Sequence, residues 1–363
     1  MARLDAILRL VQEQGASDLH MTTGAPPMVR INGEITPIPY EELTREINEM
    51  LLFEIMDSPT RARFDENKDV DFSYEVPGVI RVRCNIYEQS KGVAGAFRLL
   101  PGRIPTAEEL QLPETLLRLT EMPRGLVLVT GPPGTGKSST LAALIDHINC
   151  TRRKHIVTIE DPIEFRHPNK LSLVTQREVG RNTPSFAQAL RAVLREDPDV
   201  IMVGEMRDQE TMALALTAAA TGQLVFGTLH TMSAIQTVDR VLDSFDGERQ
   251  AQVRLMLAES LRGVVAQRLL RRTDGLGRAL ALELLLGNPA VSALIRERKT
   301  FQLPTVMTTG KREGMRSMDD SVYSLLREGV IDFAEASMHV INREGLDAFG
   351  GPGHGQPPLR NAA

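Results

Sequence analysis

Leu4, Ile7, Leu8 and Val11 recur at the spacing of one helix face, which predicts an amphipathic opening helix over residues 4–11. From Ser17 to Ile35 the apolar runs are short. They are broken by Gly24, Pro26, Pro27 and the dipeptide Asn32-Gly33, a pattern of brief strands joined by a hairpin turn. A helix is expected over about residues 41–56, then strands at 70–74 and 79–87, so residues 1–100 read as a small mixed α/β domain. Pro101, Gly102, Pro105 and Pro113 mark a change of pattern, and a linker is placed at 101–112.

Beyond it, apolar runs at Leu126–Thr130, Ile156–Ile159, Val200–Val203 and Leu224–Thr228 alternate with helical segments starting near Ser138, Ser185 and Glu210. Continuous apolar strands separated by helices predict a parallel sheet covered on both faces, in a second domain over 113–290. Thr211 to Leu229 carries no charge and approaches membrane-spanning length, but its four threonines, Gln223, Gly222 and Gly227 divide it into a helix ending near Gly222 and a strand from Leu224. No membrane span is expected. From Glu248 to Leu270 the spacing of Val253, Leu257, Leu261, Val264 and Val265 predicts one long helix, with further helices to about Asn342 and a C-terminal helical region at 291–346. Residues 347–363, rich in Gly and Pro, are expected to form a disordered tail. No internal repeat is found.

Of the 363 residues, 42% are hydrophobic and 25% charged, a globular composition. The net charge of -5 excludes a chain built as a whole to coat nucleic acid. Two isolated cysteines, Cys84 and Cys150, build neither a zinc cluster nor a disulfide framework and fit a reducing compartment. Charges at Arg3, Asp5, Arg9 and Glu13 interrupt any apolar export signal.

Gly131-Pro132-Pro133-Gly134-Thr135-Gly136-Lys137-Ser138 matches the P-loop pattern, between an apolar strand and a helix, and Ser139 follows it in the same helical start. Glycines let backbone N–H groups turn toward phosphates; Lys137 suits the β and γ phosphates of ATP and the Ser138 hydroxyl suits Mg2+. Val200 to Val203 runs into Gly204-Glu205, the shape of a strand-end carboxylate acting on magnesium or water. Thr158 to Phe165 sets Glu160, Asp161 and Glu164 just past another strand, where ligands of open α/β sheets bind. The general base is one of Glu160, Glu164 and Glu205. His230 ends the strand from Leu224 and is a candidate contact to a γ phosphate.

Taken together, these motifs resemble the secretion and pilus-motor ATPase family, in particular the type IV pilus retraction ATPases of the PilT kind, over roughly residues 1–345. The resemblance rests on Gly15 to His20 with Pro26-Pro27, the P-loop, Thr158 to Phe165 (Asp box), Thr175 to Val179, Leu194 to Asp199 leading to Gly204 to Asp208, and Gly227 to Thr231 (His box). It implies an α/β protein with an N-terminal PAS-like domain, a RecA-like P-loop ATPase domain and C-terminal helices. It also implies a homohexamer with ATP between the two domains, and arginines of the first domain (Arg81, Arg83 and Arg98) reaching the nucleotide. The implied activity is Mg-ATP hydrolysis driving pilus retraction and twitching motility. The implied partners are a pilus platform protein of the inner membrane and a second pilus ATPase, and the implied place is cytoplasmic, peripheral at that membrane. Extension motors carry a four-cysteine zinc site that this chain lacks, and Ala290 to Glu297 partly matches the retraction motif. Gln223 stands where the family's His box usually begins with histidine, and Ala220 where glutamate is common. These departures leave a weakly hydrolytic partner subunit as the alternative. A nucleic-acid translocase is the remote one, with the basic run Arg268 to Arg272 read as a solvated helix face or subunit contact.

Overall fold

The structure, a computed structural model, describes residues 2–31 and 33–347. The hairpin position Asn32 and the expected tail from 348 onward lie outside the described residues. The chain divides into two compact units. Of the described residues, the first comprises those up to 104 with 161–166 and 178–182; the second comprises 105–160, 167–177 and those from 183 onward.

In the first unit, α1 (Leu4–Glu13) buries the expected stripe of Leu4, Ile7, Leu8 and Val11. Strands β1 (Asp18–Met21), β2 (Met28–Ile31) and β3 (Glu34–Pro37) precede two helices. These are α2 (Arg45–Phe53), capped by the Thr44 side chain, and α3 (Ser58–Asn67), capped by Asp57, which the hydrophobic pattern does not announce. Then come β4 (Asp69–Val76), β5 (Ile80–Gln89) and β6 (Gly92–Leu100). All six strands form one sheet in the order β3-β2-β1-β6-β5-β4, antiparallel at every pairing. Along β5, Ile80, Val82, Cys84 and Ile86 are buried, so the two-residue period of a strand sends Arg81 and Arg83 to the other face. The register sets Arg83 directly opposite Arg98 on β6.

The second unit begins with α4 (Glu114–Arg118) and is organised by a seven-stranded sheet. Its elements are β7 (Gly125–Thr130), α5 (Lys137–Thr151), β8 (His155–Glu160), β9 (Leu173–Glu178), α6 (Phe186–Val193), β10 (Val200–Val203), α7 (Gln209–Thr221), β11 (Leu224–Leu229), α8 (Ala234–Asp243), α9 (Gly247–Ser260), β12 (Leu261–Arg271) and β13 (Arg278–Leu286). The order is β13-β12-β7-β11-β10-β8-β9; β12-β7-β11-β10-β8 pair in parallel and β12 with β13 antiparallel. Every residue of β7, β10 and β11 is buried, which is why these strands read as unbroken apolar runs. The uncharged stretch from Thr211 resolves into α7 and β11, broken at Gly222. Among the described residues no helix is long and apolar enough to cross a membrane.

Two expectations are overturned. The long helix over Glu248–Leu270 stops at Ser260, where Leu261 turns extended (φ -62, ψ 124), and Leu261–Arg271 is a strand beside β7. The helical spacing of Leu257, Leu261 and Val264 is equally served by a buried strand, and the open edge of β7 decides between them by pairing its backbone N–H and C=O groups. The basic run from Arg268 therefore lies on a strand end rather than a helix. Arg268 donates to the carbonyl of His339, and Arg272 pairs with Asp274 at 2.6 Å. The expected helical continuation is likewise interrupted by β13, before α10 (Pro289–Arg296), α11 (Leu303–Thr309), α12 (Met318–Arg327), α13 (Phe333–His339) and α14 (Glu344–Asp347).

Candidate nucleotide site

β7 ends at Thr130 and the chain turns through Gly131, Gly134 and Gly136, with φ of 145°, 79° and 84°, before α5 begins at Lys137. Gly131 needs its missing side chain. A Cβ there would stand 2.5 Å from the Gln267 carbonyl oxygen and 2.8 Å from Thr135 Oγ1. The loop is braced from within by Thr135 Oγ1 donating to Pro132 O at 2.8 Å, and from β12 by Gln267 Nε2 donating to Thr135 O at 2.6 Å. Gly136 caps α5 without a side-chain hydrogen bond, so the first-turn N–H groups keep their affinity for an anion. Beside the loop lies a cavity of about 360 Å³ lined by Thr135, Gly136, Ser139, Thr140, Leu269 and Leu280, among others. A backbone cradle, a helix N-terminus and an adjoining cavity are what a nucleoside triphosphate requires.

Lys137 Nζ donates to the carbonyls of Gly131 at 2.7 Å and Pro132 at 3.0 Å, and lies 3.4 Å from Nδ1 of His230. On its other side the His230 ring meets Glu205, Nε2 to Oε1 at 2.7 Å. An ammonium can only donate, so Nδ1 is the accepting nitrogen and Nε2–H donates to the carboxylate. Arg207 Nε also reaches Glu205 Oε1, at 2.6 Å. Burial pushes the Glu205 carboxyl up, but the hydrogen bonds from Arg207 and His230 outweigh it and hold the group below the ordinary carboxylate range. The P-loop lysine, the strand-end glutamate and the strand-end histidine thus form one polar chain. Ser138, in the first turn of α5, is half-buried.

Glu160, at the end of β8, is buried, with its Oε1 taking hydrogen bonds from Thr158 Oγ1 at 2.6 Å and Gln176 Nε2 at 3.1 Å. β8 pairs with β10 up to Ile159 opposite Val203, which sets Glu160 and Glu205 on neighbouring strand ends. Glu164 is half-buried and belongs to the first unit, so the two glutamates of the Asp box are divided between the units.

The three arginines differ. Arg81 is nearly buried and bound to Glu178 at 2.5 Å, to Ser73 Oγ at 3.0 Å and to the carbonyl of Ile163. Arg83 and Arg98 are exposed, paired with Asp71 at 3.4 Å and Asp18 at 3.0 Å. The two stand opposite each other in the register of β5 and β6, each matched by its own carboxylate. Sequence reading missed Glu178 as the partner of Arg81 and Gln267 as the brace of the P-loop. A glutamine inside the apolar run of β12 was the available signal for the second; the first had none. Gln223, the departure in the His box, lies at the N-terminal end of β11, its carbonyl accepting from Gly125 N, while His230 follows the C-terminal end. Six strand residues, about 20 Å, separate it from the phosphate side.

Residues 2–336 match the family described as type II/IV secretion system protein. The chain is 50% identical over 325 residues to the type IV pilus retraction ATPase PilT of Pseudomonas aeruginosa, covering 90% of this chain and 94% of that protein. It is 49% identical to a twitching motility protein of Neisseria gonorrhoeae, covering 88% of this chain and 86% of that one. A crystal structure of the pilus retraction motor PilT with bound ADP is similar with a TM-score of 0.89 and 47% identity, covering 96% of this chain and 99% of that one.

Proposed function

The chain belongs to the type II/IV secretion system protein family, and we infer from that membership and from its site that it is an ATPase whose hydrolysis of ATP drives type IV pilus retraction and so twitching motility. The observation that carries the chemistry is the chain Lys137–His230–Glu205, at the mouth of a glycine cradle and a helix N-terminus. The N–H groups of Gly134 to Ser139 hold phosphate oxygens, and Lys137 leaves the Gly131 and Pro132 carbonyls to meet the β and γ phosphates. Ser138 and Glu205 would hold magnesium, which neutralises phosphate charge when bound. Glu205, kept ionised, positions the attacking water, with Glu160 and Glu164 as the other candidate bases; His230 senses the γ phosphate. The exposed Arg83 and Arg98 act on nucleotide in the assembled ring. Arg81 acts through Glu178, as a positioning group.

The working assembly is a ring of six copies, cytoplasmic and peripheral at the inner membrane. There it engages a pilus platform protein and works with a second pilus ATPase. The position of Gln223, a strand length from the phosphates, favours an active motor over a weakly hydrolytic partner subunit. Lys137→Ala should abolish turnover and weaken ATP binding, whereas Glu205→Ala should keep ATP bound and unhydrolysed. Wild-type turnover in Lys137→Ala refutes the site. A strain lacking the chain should be hyperpiliated and immobile on surfaces; normal pilus length and motility refute retraction.

A further inference from the structure

His230 is an exposed ring, 48% accessible, so packing does not fix its orientation. The backbone on both sides of it is pinned instead. Two residues before it, Thr228 Oγ1 donates to the carbonyl of Gly204 at 2.5 Å, tying β11 to the residue that precedes Glu205. Immediately after it, Thr231 is tied to Thr130, the residue that precedes the P-loop. The Thr130 hydroxyl lies 2.5 Å from the Thr231 carbonyl oxygen and 2.6 Å from Thr231 Oγ1. Thr231 Oγ1 is in turn 2.7 Å from Thr237 Oγ1, which donates to Ser233 O at 2.7 Å. Thr130 and Thr237 are fully buried.

Proton counting fixes the direction of this chain. Each hydroxyl has one proton. Thr237 gives its proton to Ser233 O, so Thr231 donates to Thr237, and the one Thr130 proton is shared between the Thr231 carbonyl oxygen and Thr231 Oγ1. Valine in place of any one threonine keeps the shape but strips a donor and leaves an acceptor without its partner, a buried one in Thr231→Val.

We propose that the hydroxyl chain Thr130–Thr231–Thr237 is a positioning device that holds His230 between Lys137 and Glu205. The proposal rests on the reading that His230 works on ATP. The chain lies at the shared edge of β7 and β11, so a shift of the loop at Thr231 carries the imidazole away from both of its partners. A displacement near 1 Å at a reacting centre can cost roughly 10²-fold in rate.

The test measures steady-state kcat and KM for ATP, and binding of a fluorescent ADP analogue, in the full-length protein. The variants are Thr231→Val, Thr130→Val, Thr231→Ser, Thr130→Ser, His230→Ala and the double variant His230→Ala/Thr231→Val. Thr231→Val and Thr130→Val should lower kcat about 10- to 100-fold while nucleotide affinity changes less than about threefold, and the serine variants should return kcat to within about threefold of wild type. In the double variant, Thr231→Val should add nothing to the loss caused by His230→Ala, because both act through one imidazole. Thermal melts accompany each variant; if a valine variant fails to fold, Thr237→Val and the serine pair carry the comparison. Wild-type turnover in His230→Ala overturns the reading of His230 and the proposal with it. A slow His230→Ala beside a Thr231→Val of wild-type kcat overturns the proposal alone. So does a Thr231→Val loss that persists in full on the His230→Ala background.

Discussion

Replacing Glu178 by alanine should weaken the first unit by several kcal/mol, and the structure supplies the arithmetic. Glu178 and Arg81 are 6% and 10% exposed at the side chain, so their 2.5 Å pair is screened little by water. The carboxylate also accepts from Ser73 Oγ at 2.6 Å and from Ile163 N at 3.1 Å. Its removal leaves a guanidinium nearly buried without its counter-charge and strips an N–H and a hydroxyl of their acceptor. Breaking such a pair from one side costs about 3–5 kcal/mol, a large fraction of the roughly 5–15 kcal/mol that holds a folded domain together. Removing both charges is different. Arg81→Met with Glu178→Met leaves no charge to strand, and exchange of a buried pair for apolar groups is often close to neutral. The double variant should therefore be more stable than Glu178→Met alone, with a coupling of at least about 1 kcal/mol in the cycle of wild type, Arg81→Met, Glu178→Met and the double variant. Urea unfolding followed by circular dichroism gives the four stabilities, and binding of an ADP analogue tests the nucleotide site separately. If Glu178→Ala loses less than about 1 kcal/mol, or the double variant is the least stable of the set, the pair is not the clamp that fixes the segment 161–166 to β5. The same cycle bears on catalysis: Arg81→Ala should lose stability along with rate, whereas a purely catalytic arginine would lose rate alone.

Arg83→Ala and Arg98→Ala should fold and assemble normally yet hydrolyse ATP slowly; an arginine acting on phosphates can be worth roughly 10³–10⁵ in rate. Turnover against protein concentration checks this, and variants that follow the wild-type curve at every concentration show that these are solvated strand charges. Burial pushes the His167 imidazole down to about 4 from its ordinary 6.5. The folded state thus binds fewer protons there than the unfolded chain. Its stability is complete above pH 6.5 and falls toward pH 4, by roughly 3 kcal/mol over the interval. His167→Gln should flatten that part of the curve of unfolding free energy against pH; an unchanged slope would mean the ring is solvated in the folded protein.

Much of this protein is written locally. The P-loop, the helix after it and the buried parallel strands are legible because each is made by neighbours in sequence: glycines where φ is positive, capping side chains at Thr44, Ser185 and Asp208, and apolar runs that only a doubly covered sheet buries. Glu205 and His230 could be singled out because each ends or follows such a strand. The tertiary structure alone decided the rest. Leu261–Arg271 carries an apolar spacing that suits helix and strand alike, and the unpaired edge of β7 made it a strand. Arg81 looks like Arg83 in sequence, two residues away on the same face of β5; a carboxylate 97 positions further along the chain captured the one and left the other exposed. The hydroxyls of Thr130 and Thr231 meet across 101 positions. Local pattern specifies which backbone shape is stable and which face is apolar, whereas the partner of a polar group is set by what the sheet order brings beside it, and that order is a property of the packed whole.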